Sequence, residues 1–405
     1  MALFSVIQAV DYRQDVPSND TYQYAKQTLR FLGDGPQQAV HEAAVMYCQD
    51  SGNAAATADS LNYAAGPTGS GTSYTAAYRA CLQTYRDGLP PSSPRYLAIF
   101  TARPGYPLLA APIAAVFGLR FGLWAAALLC TLFAGLLVLI LLRSAGCSTP
   151  VALAGQALLL AAPTGYWGSR MLTDGPSLAT AVLTLVGAWW LAQHRTKAGL
   201  WLLGAGFVTG FLVRYSSEQV VALFLALGAL ACLRWAPGAR HRDMRLLAAV
   251  CGAGFVVSEL ASTLLGWPGL SVSLQDTFTK HFYRPDVADP LGRLVRLDWR
   301  FWEYFPVSEP IALLLAAGLV TLAVVLIRRE RVYGILVVAV SATGLAAVAA
   351  HPIVSQSDRL MMPVWLLLAL GLPRLSTAAP TDPDPTEPAP TQAGEPRPVV
   401  AAEAA

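Results

Sequence analysis

Nine apolar runs, most of them close to 20 residues long, dominate the chain: 121–142, 150–167, 175–193, 198–213, 217–235, 245–266, 310–327, 332–350 and 359–373. A helix needs about 20 apolar residues to cross the hydrocarbon core of a bilayer. Inside that core every backbone N–H and C=O must be bonded internally, which leaves helical bundles and closed barrels. The two-residue alternation of a barrel strand is absent, so the runs predict an all-α polytopic membrane protein. Composition agrees, with 55% hydrophobic and 13% charged residues against about 25% charged in a soluble domain. A net charge of +3 in 405 residues gives no sign of a nucleic-acid partner.

The polar segments set the organisation. Residues 1–10 are apolar but too short to span, and read as a truncated or partial transmembrane helix. Residues 11–105 form a polar loop, with helices expected over 20–32, 36–50 and 73–86 and a Gly/Ser/Ala/Thr-rich stretch over 52–72. In the first helix, Asn19 or Asp20 is a plausible N-cap, Tyr24, Thr28, Phe31 and Leu32 share a face, and Gly33 follows the end. Residues 106–119 read as a short helix at the membrane surface. The multi-span domain runs from 106 to 376 and is interrupted by the polar loop 267–309. The Pro/Ala/Thr/Asp/Glu-rich tail from 377 to 405 is expected to be a disordered cytoplasmic segment.

Arginine gives the orientation. Alternate short loops carry Arg143, then Arg195 and Lys197, then Arg234, Arg240, Arg242 and Arg245, then Arg328, Arg329 and Arg331, and finally Arg374. The intervening short loops carry only Arg170, Arg214 and Arg359. The positive-inside rule makes the first set cytoplasmic and puts 11–105 and 267–309 on the extracytoplasmic side of the plasma membrane. On that side Cys48 and Cys81 either pair as a disulfide or remain two free thiols. The other four cysteines, in or beside apolar runs, read as small core residues.

Ionisable residues gather on the same outer side. Asp11, Asp15 and Asp20 lie within ten residues of one another, Asp174 opens a span, Arg214 ends one, and His351 and Arg359 flank a short loop. The loop 267–309 adds Lys280, His281, Arg284, Arg293, Arg296 and Arg300, with Trp299 and Trp302 as possible acceptor contacts. Carboxylates and arginines gathered at one membrane face suggest a site there. Arginine can grip a phosphate through its planar fork, and a carboxylate can take a proton from a sugar hydroxyl. Simpler roles compete. Asp174 also reads as a helix cap, and Arg214 and Glu218 are spaced to pair with each other. The three aspartates also offer oxygens to a divalent cation, without a spacing that selects one.

Four segments resemble the GT-C superfamily of integral membrane glycosyltransferases, which includes the protein O-mannosyltransferases and the aminoarabinose transferase of lipid A. They are Asp20-Thr21-Tyr22-Gln23-Tyr24-Ala25, Arg103-Pro104-Gly105-Tyr106-Pro107-Leu108, Met171-Leu172-Thr173-Asp174-Gly175-Pro176, and Asp358-Arg359-Leu360-Met361-Met362-Pro363. The resemblance spans residues 11 to about 373 and implies a GT-C-like helical bundle with a helical first extracytoplasmic loop. It implies inverting transfer of a sugar from a polyprenyl phosphate to a hydroxyl of a glycan, lipid or protein, beside membrane lipid. Asp20 would be the general base and Asp174 would position acceptor or donor. Arg359, with Arg214 or Arg284, would hold the lipid phosphate. Tyr24 and Arg103 lie in the matching segments, and His351 lies just ahead of the last. Many relatives carry a second acid directly after the first, where this chain has Thr21.

Two other functions compete with transfer. A non-catalytic relative in envelope assembly would keep the same fold. A transporter or flippase would place ionisable groups inside its spans and show internal repeats. Here the spans are nearly free of charge, with Glu259 the main exception, and no repeat is visible.

Overall fold

Fixed glycines, prolines and arginines decide where the long apolar runs bend. The computed structural model describes residues 1–12, 18–61, 74–90, 92–236, 241–309 and 311–377, and all regular structure among them is helical. Six helices are long and apolar enough to cross a membrane, or seven if the bent pair Val354–Leu360 and Met362–Ser376 is one span. The chain therefore has the build of a multi-helix membrane protein.

The polar first segment is itself helical. After α1 (Ala2–Asp11) come α2 (Asn19–Phe31), α3 (Pro36–Leu61), α4 (Tyr74–Thr84) and α5 (Pro94–Thr101). The N-cap of α2 is neither Asn19 nor Asp20 but Ser18, whose Oγ accepts the Thr21 N–H at 3.1 Å. Three consecutive residues here can cap, and Ser18 is the one with extended backbone. The buried side of α2 carries Tyr22, Tyr24, Ala25, Thr28 and Leu29, while Phe31 and Leu32 are exposed. Gly33 follows the helix with φ +101°, a left-handed conformation that glycine adopts without steric cost. The expected loop over 52–72 begins later, because α3 continues through the alanine-rich stretch to Leu61. Residues 62–73, Asp15 and the tail from 378 lie outside the described residues. A disulfide joins Cys48 of α3 to Cys81 of α4, with Cα atoms 5.4 Å apart.

Next, α6 (Gly105–Phe117) is about 20 Å long and packs tightly on α7 (Leu119–Ser144). The contact is close because Gly122 has no side chain, and a Cβ there would lie 2.6 Å from Ala114. Tyr106 Oη fixes the pair by donating to the Leu123 carbonyl at 2.8 Å. The run 150–167 is no single span, since it divides into α8 (Thr149–Ala161) and α9 (Pro163–Gly168) at Pro163. After α10 (Asp174–Ala192), the runs 198–213 and 217–235 are two helices that meet at a break, labelled together α11 (Thr196–Trp235). Forty residues of straight helix would reach about 60 Å, twice a bilayer core. The element is broken at Arg214, with φ −162° and ψ 81°, and Glu218 folds back onto Gly210. α12 (His241–Leu264) then packs against α11.

The polar loop 267–309 holds two helices, α13 (Leu270–Thr279) and α14 (Pro290–Ser308). α15 (Ala312–Arg329), α16 (Arg331–Ser341) and α17 (Thr343–Ala350) follow, then the one-turn α18 (Ser357–Leu360) and α19 (Leu366–Ser376). A large apolar core lies between α7, α8, α10, α11, α12, α16 and α19, and a second lies between the first segment, α6 and the start of α7.

The basic loops meet at one end of this bundle. Gln193 donates to the Ser144 carbonyl at 2.7 Å, His194 pairs with Asp243, Arg374 pairs with Glu330 at 2.5 Å, and Arg331 donates to the Trp235 carbonyl at 3.2 Å. The residues of the candidate site meet at the other.

The disulfide closes a separation of 33 residues. Cys48 and Cys81 should resist maleimide until the native protein is reduced. Replacing both with serine should cost about 3–4 kcal/mol of stability in the chain-entropy picture, measured by unfolding in detergent. Labelling without reduction would contradict the bridge.

Candidate active site

Asp20, Asp174 and Arg359 come from three distant parts of the chain and meet at one guanidinium. Arg359 Nη1 donates to Asp20 Oδ2 at 3.0 Å, and Arg359 Nε donates to Asp174 Oδ2 at 2.8 Å. Arg214 Nη1 approaches the other oxygen of Asp174 at 3.5 Å. The carboxylate of Asp174 is nearly covered, while that of Asp20 is 26% exposed and is the open side of the cluster.

Local sequence explains each placement. Asp20 lies in the first turn of α2 and Asp174 is the first residue of α10. The partial positive charge at a helix N-terminus favours a carboxylate in both cases. Asp174 does not cap its helix: the N-cap is Thr173. Gly175 lets the start of α10 press against α7 and α9, since a Cβ there would lie 2.7 Å from Thr131 Oγ1 and 3.0 Å from the Ala127 carbonyl. Pro176 falls where the helix needs no backbone donor. Arg214 is at the break in α11, so its side chain reaches Asp174 instead of pairing with Glu218. Glu218 is buried in the other direction, 3.4 Å from Thr184 Oγ1. Glu259, the carboxylate singled out inside a span, is exposed and accepts from Gln219 Nε2 at 2.8 Å.

Behind the carboxylates stands Tyr24, fully buried. Its Oη accepts from Arg103 Nη1 at 3.3 Å and lies 3.3 Å from Thr173 Oγ1. Tyr24 is thus a positioning residue between Arg103 and the start of α10. Burial works against the Arg103 guanidinium, but Tyr24 and Asp20 outweigh it and raise its pKa. The Nε–H groups of Arg103 and Arg214 are buried and find no acceptor among the described residues. His351 lies beside this group, its Nδ1 2.8 Å from Thr277 Oγ1. Burial first, and Arg214 second, lower its pKa, so the ring is neutral near pH 7. Arg284 is exposed on the turn after α13 and joins neither aspartate. Trp299 and Trp302 are exposed on α14. Asp11 ends α1, and Asp15 lies outside the described residues.

Tyr96 and Asp276 are not singled out in the sequence, and they join Asn19 and His281 in a further layer of the site. Asn19 Nδ2 donates to Tyr96 Oη at 3.1 Å, and the Tyr96 ring packs 4.7 Å from that of His281. Burial, and then the Asp20 carboxylate, push the Tyr96 phenol up. His281 Nδ1 lies 3.0 Å from Asp276 Oδ1. Lys280, His281 and Phe282 all have positive φ, at 52°, 59° and 64°. Three successive side-chain-bearing residues in the left-handed region store strain of about 1–3 kcal/mol each. The turn is held in place by Arg95, which bonds Asp286 at 2.8 Å and lies over the Phe282 ring at 4.3 Å. Tyr96 follows an arginine in an unpatterned stretch and meets a partner 185 residues away, so no local signal marks it.

Among the described residues no three His, Cys, Asp or Glu side chains converge as a metal-holding group. The space between Asp20 and Asp174 is taken by Arg359. No protein-family model, curated protein or solved structure matches the chain.

Arg359→Gln should destabilise the protein by about 3 kcal/mol, because it leaves Asp20 without its cation and the covered Asp174 with Arg214 alone. Asp20→Asn should cost less, since Asp20 is the more exposed partner, and unfolding in detergent measures both. The turn should also respond to pH. Asp276 raises the His281 pKa, so the stabilisation is complete below the ordinary imidazole value of about 6.5. It is lost as pH rises through the raised folded value. Hydrogen exchange across 276–284, corrected for intrinsic rate, should quicken over that window, and His281→Gln should abolish the change.

Proposed function

We propose that the protein is a membrane glycosyltransferase that moves a sugar from a polyprenyl phosphate to an acceptor hydroxyl on the extracytoplasmic face, with inversion. The observation that carries this reading is the charge of the cluster. Three guanidinium groups, Arg103, Arg214 and Arg359, stand against two carboxylates, Asp20 and Asp174. Two of the three also hold a buried donor with no acceptor among the described residues. A site with surplus positive charge and unused guanidinium donors suits an anion, and planar guanidinium forks suit a phosphate.

The chain's own residues then divide the chemistry. Asp20, on the open side, accepts the proton of the acceptor hydroxyl as its oxygen bonds to the anomeric carbon. The bond from that carbon to the phosphate oxygen breaks on the opposite face, which inverts the centre. The polyprenyl phosphate leaves with its added charge held by Arg359 and Arg214. In the resting site Arg359 occupies Asp20 through the 3.0 Å ion pair. An arriving phosphate competes for the same guanidinium and frees the carboxylate to act as a base. Asp174 stays bound to Arg214 and keeps the arginines in place. The sequence resemblance to GT-C enzymes assigns the same roles to Asp20, Asp174 and Arg359, and the basic end of the bundle is the cytoplasmic one under the positive-inside rule. A non-catalytic relative would preserve this ion-pair network for its fold alone.

Asp20→Asn should lower polyprenyl-phosphate-sugar-dependent transfer in membranes by about 10²–10⁴-fold, the range of a general base, with expression unchanged. Full transfer by that variant would remove Asp20 from the role.

A further inference from the structure

The amphipathic helix α14 has a feature that the transfer reading does not use. Its residues sort by helical angle into three stripes. Leu294, Phe301 and Phe305 form the inner stripe. Phe301 is buried with Val348 and Leu360, and Phe305 and Met361 pack on that group. The second stripe, Leu291, Val295, Trp299 and Trp302, is exposed, Trp299 to 76%. The third carries Arg293, Arg296 and Arg300, all exposed, with Glu303 at its edge and Arg296 3.7 Å from Asp289.

Two anchor points fix where this helix lies. Its C-terminal end runs within a few residues into α15, a candidate span with outward-facing Leu313, Leu314 and Val320. Its inner stripe packs on the end of α17 and on α18, beside Arg359. Both anchors are span ends, so α14 runs along the site end of the bundle, at the level where hydrocarbon gives way to headgroups. Tryptophan is enriched at that level, and arginine beside an apolar stripe attracts anionic lipid. We propose that α14 is a membrane-surface helix. It seats Leu291, Val295, Trp299 and Trp302 in the headgroup region of the leaflet at the site end, and presents Arg293, Arg296 and Arg300 to anionic lipid phosphates. The leaflet is the occupant because α14 leads directly into α15, a candidate span whose Leu313, Leu314 and Val320 are exposed. Through Leu360 and Met361 the helix also braces the segment that carries Arg359. The inference rests on the chain being a membrane protein with its site at this end, and it does not require sugar transfer.

The test uses the full chain in nanodiscs of phosphatidylcholine or of phosphatidylcholine with phosphatidylglycerol. The emission of Trp299 is taken as wild type minus Trp299→Phe. Lipids brominated high on the acyl chain should quench this difference emission, and aqueous acrylamide should leave most of it. At equal mole fraction, brominated phosphatidylglycerol should quench it more than brominated phosphatidylcholine, and Arg293→Gln/Arg300→Gln should abolish that excess. Quenching by acrylamide but not by bromolipid would place the stripe in water and overturn the proposal. Protection from both quenchers would mean that a second copy or another protein covers α14, which overturns it equally. Equal quenching by the two bromolipids in the wild type would remove the anionic-lipid role. No sugar donor or acceptor enters the assay, so its failure is distinguishable from failure of the transfer reading.

Discussion

One guanidinium holds the first polar segment, the middle of the bundle and its last spans together. Arg359 binds Asp20, 339 residues away, and Asp174, 185 residues away, with the two ends of one planar group. A charge removed from water is costly unless it is paired and hydrogen-bonded. The segment carrying Asp20 and the start of α10 are therefore required to stay close to α18. The other local features of the site serve this junction. Gly175 lets α10 approach its neighbours, the break at Arg214 adds a second cation, and Tyr24 ties Arg103 to the start of α10. The junction is also unbalanced toward positive charge, so it holds together without a ligand and still has donors to offer one.

The two ends of the bundle are built differently. At the basic end, loop arginines and their partners form local links, such as Arg374 with Glu330 and Arg331 with the Trp235 carbonyl. At the site end, ionisable residues converge from α2, α10, α11 and α18, with a strained turn and an amphipathic helix around them. Strain of this kind persists only where the surroundings over-determine it. Here Arg95, Asp286 and the Tyr96 ring do so.

Much of the helical class and the gathering of the ionisable residues at one end of the bundle was legible in the sequence, because apolar run length and arginine placement are local signals. Asp20, Asp174 and Arg359 were legible as members of ordered segments on one face. Their shared guanidinium was not, since pairing over hundreds of residues leaves no periodic trace. The span count fell from nine runs to six or seven for identifiable reasons. Pro163 divides one run, the two runs that meet at the Arg214 break count as one element, and the last run is a bent pair. The helix over residues 52–61 was hidden by composition that also suits a loop. Two helices were hidden in the loop 267–309 by their polar faces. Tyr96, His281 and Asp276 form a layer that depends wholly on the tertiary fold.

The central claim is that the arginine cluster exists for a lipid phosphate. The most direct measurement is equilibrium binding of radiolabelled polyprenyl phosphate to the purified protein and two variants. The account predicts saturable binding by the wild type and at least a roughly tenfold loss in Arg359→Gln, the scale of one charge-assisted hydrogen bond. It predicts undiminished binding by Asp20→Asn, where Arg359 has one competitor fewer. Equal binding by wild type and Arg359→Gln would contradict it.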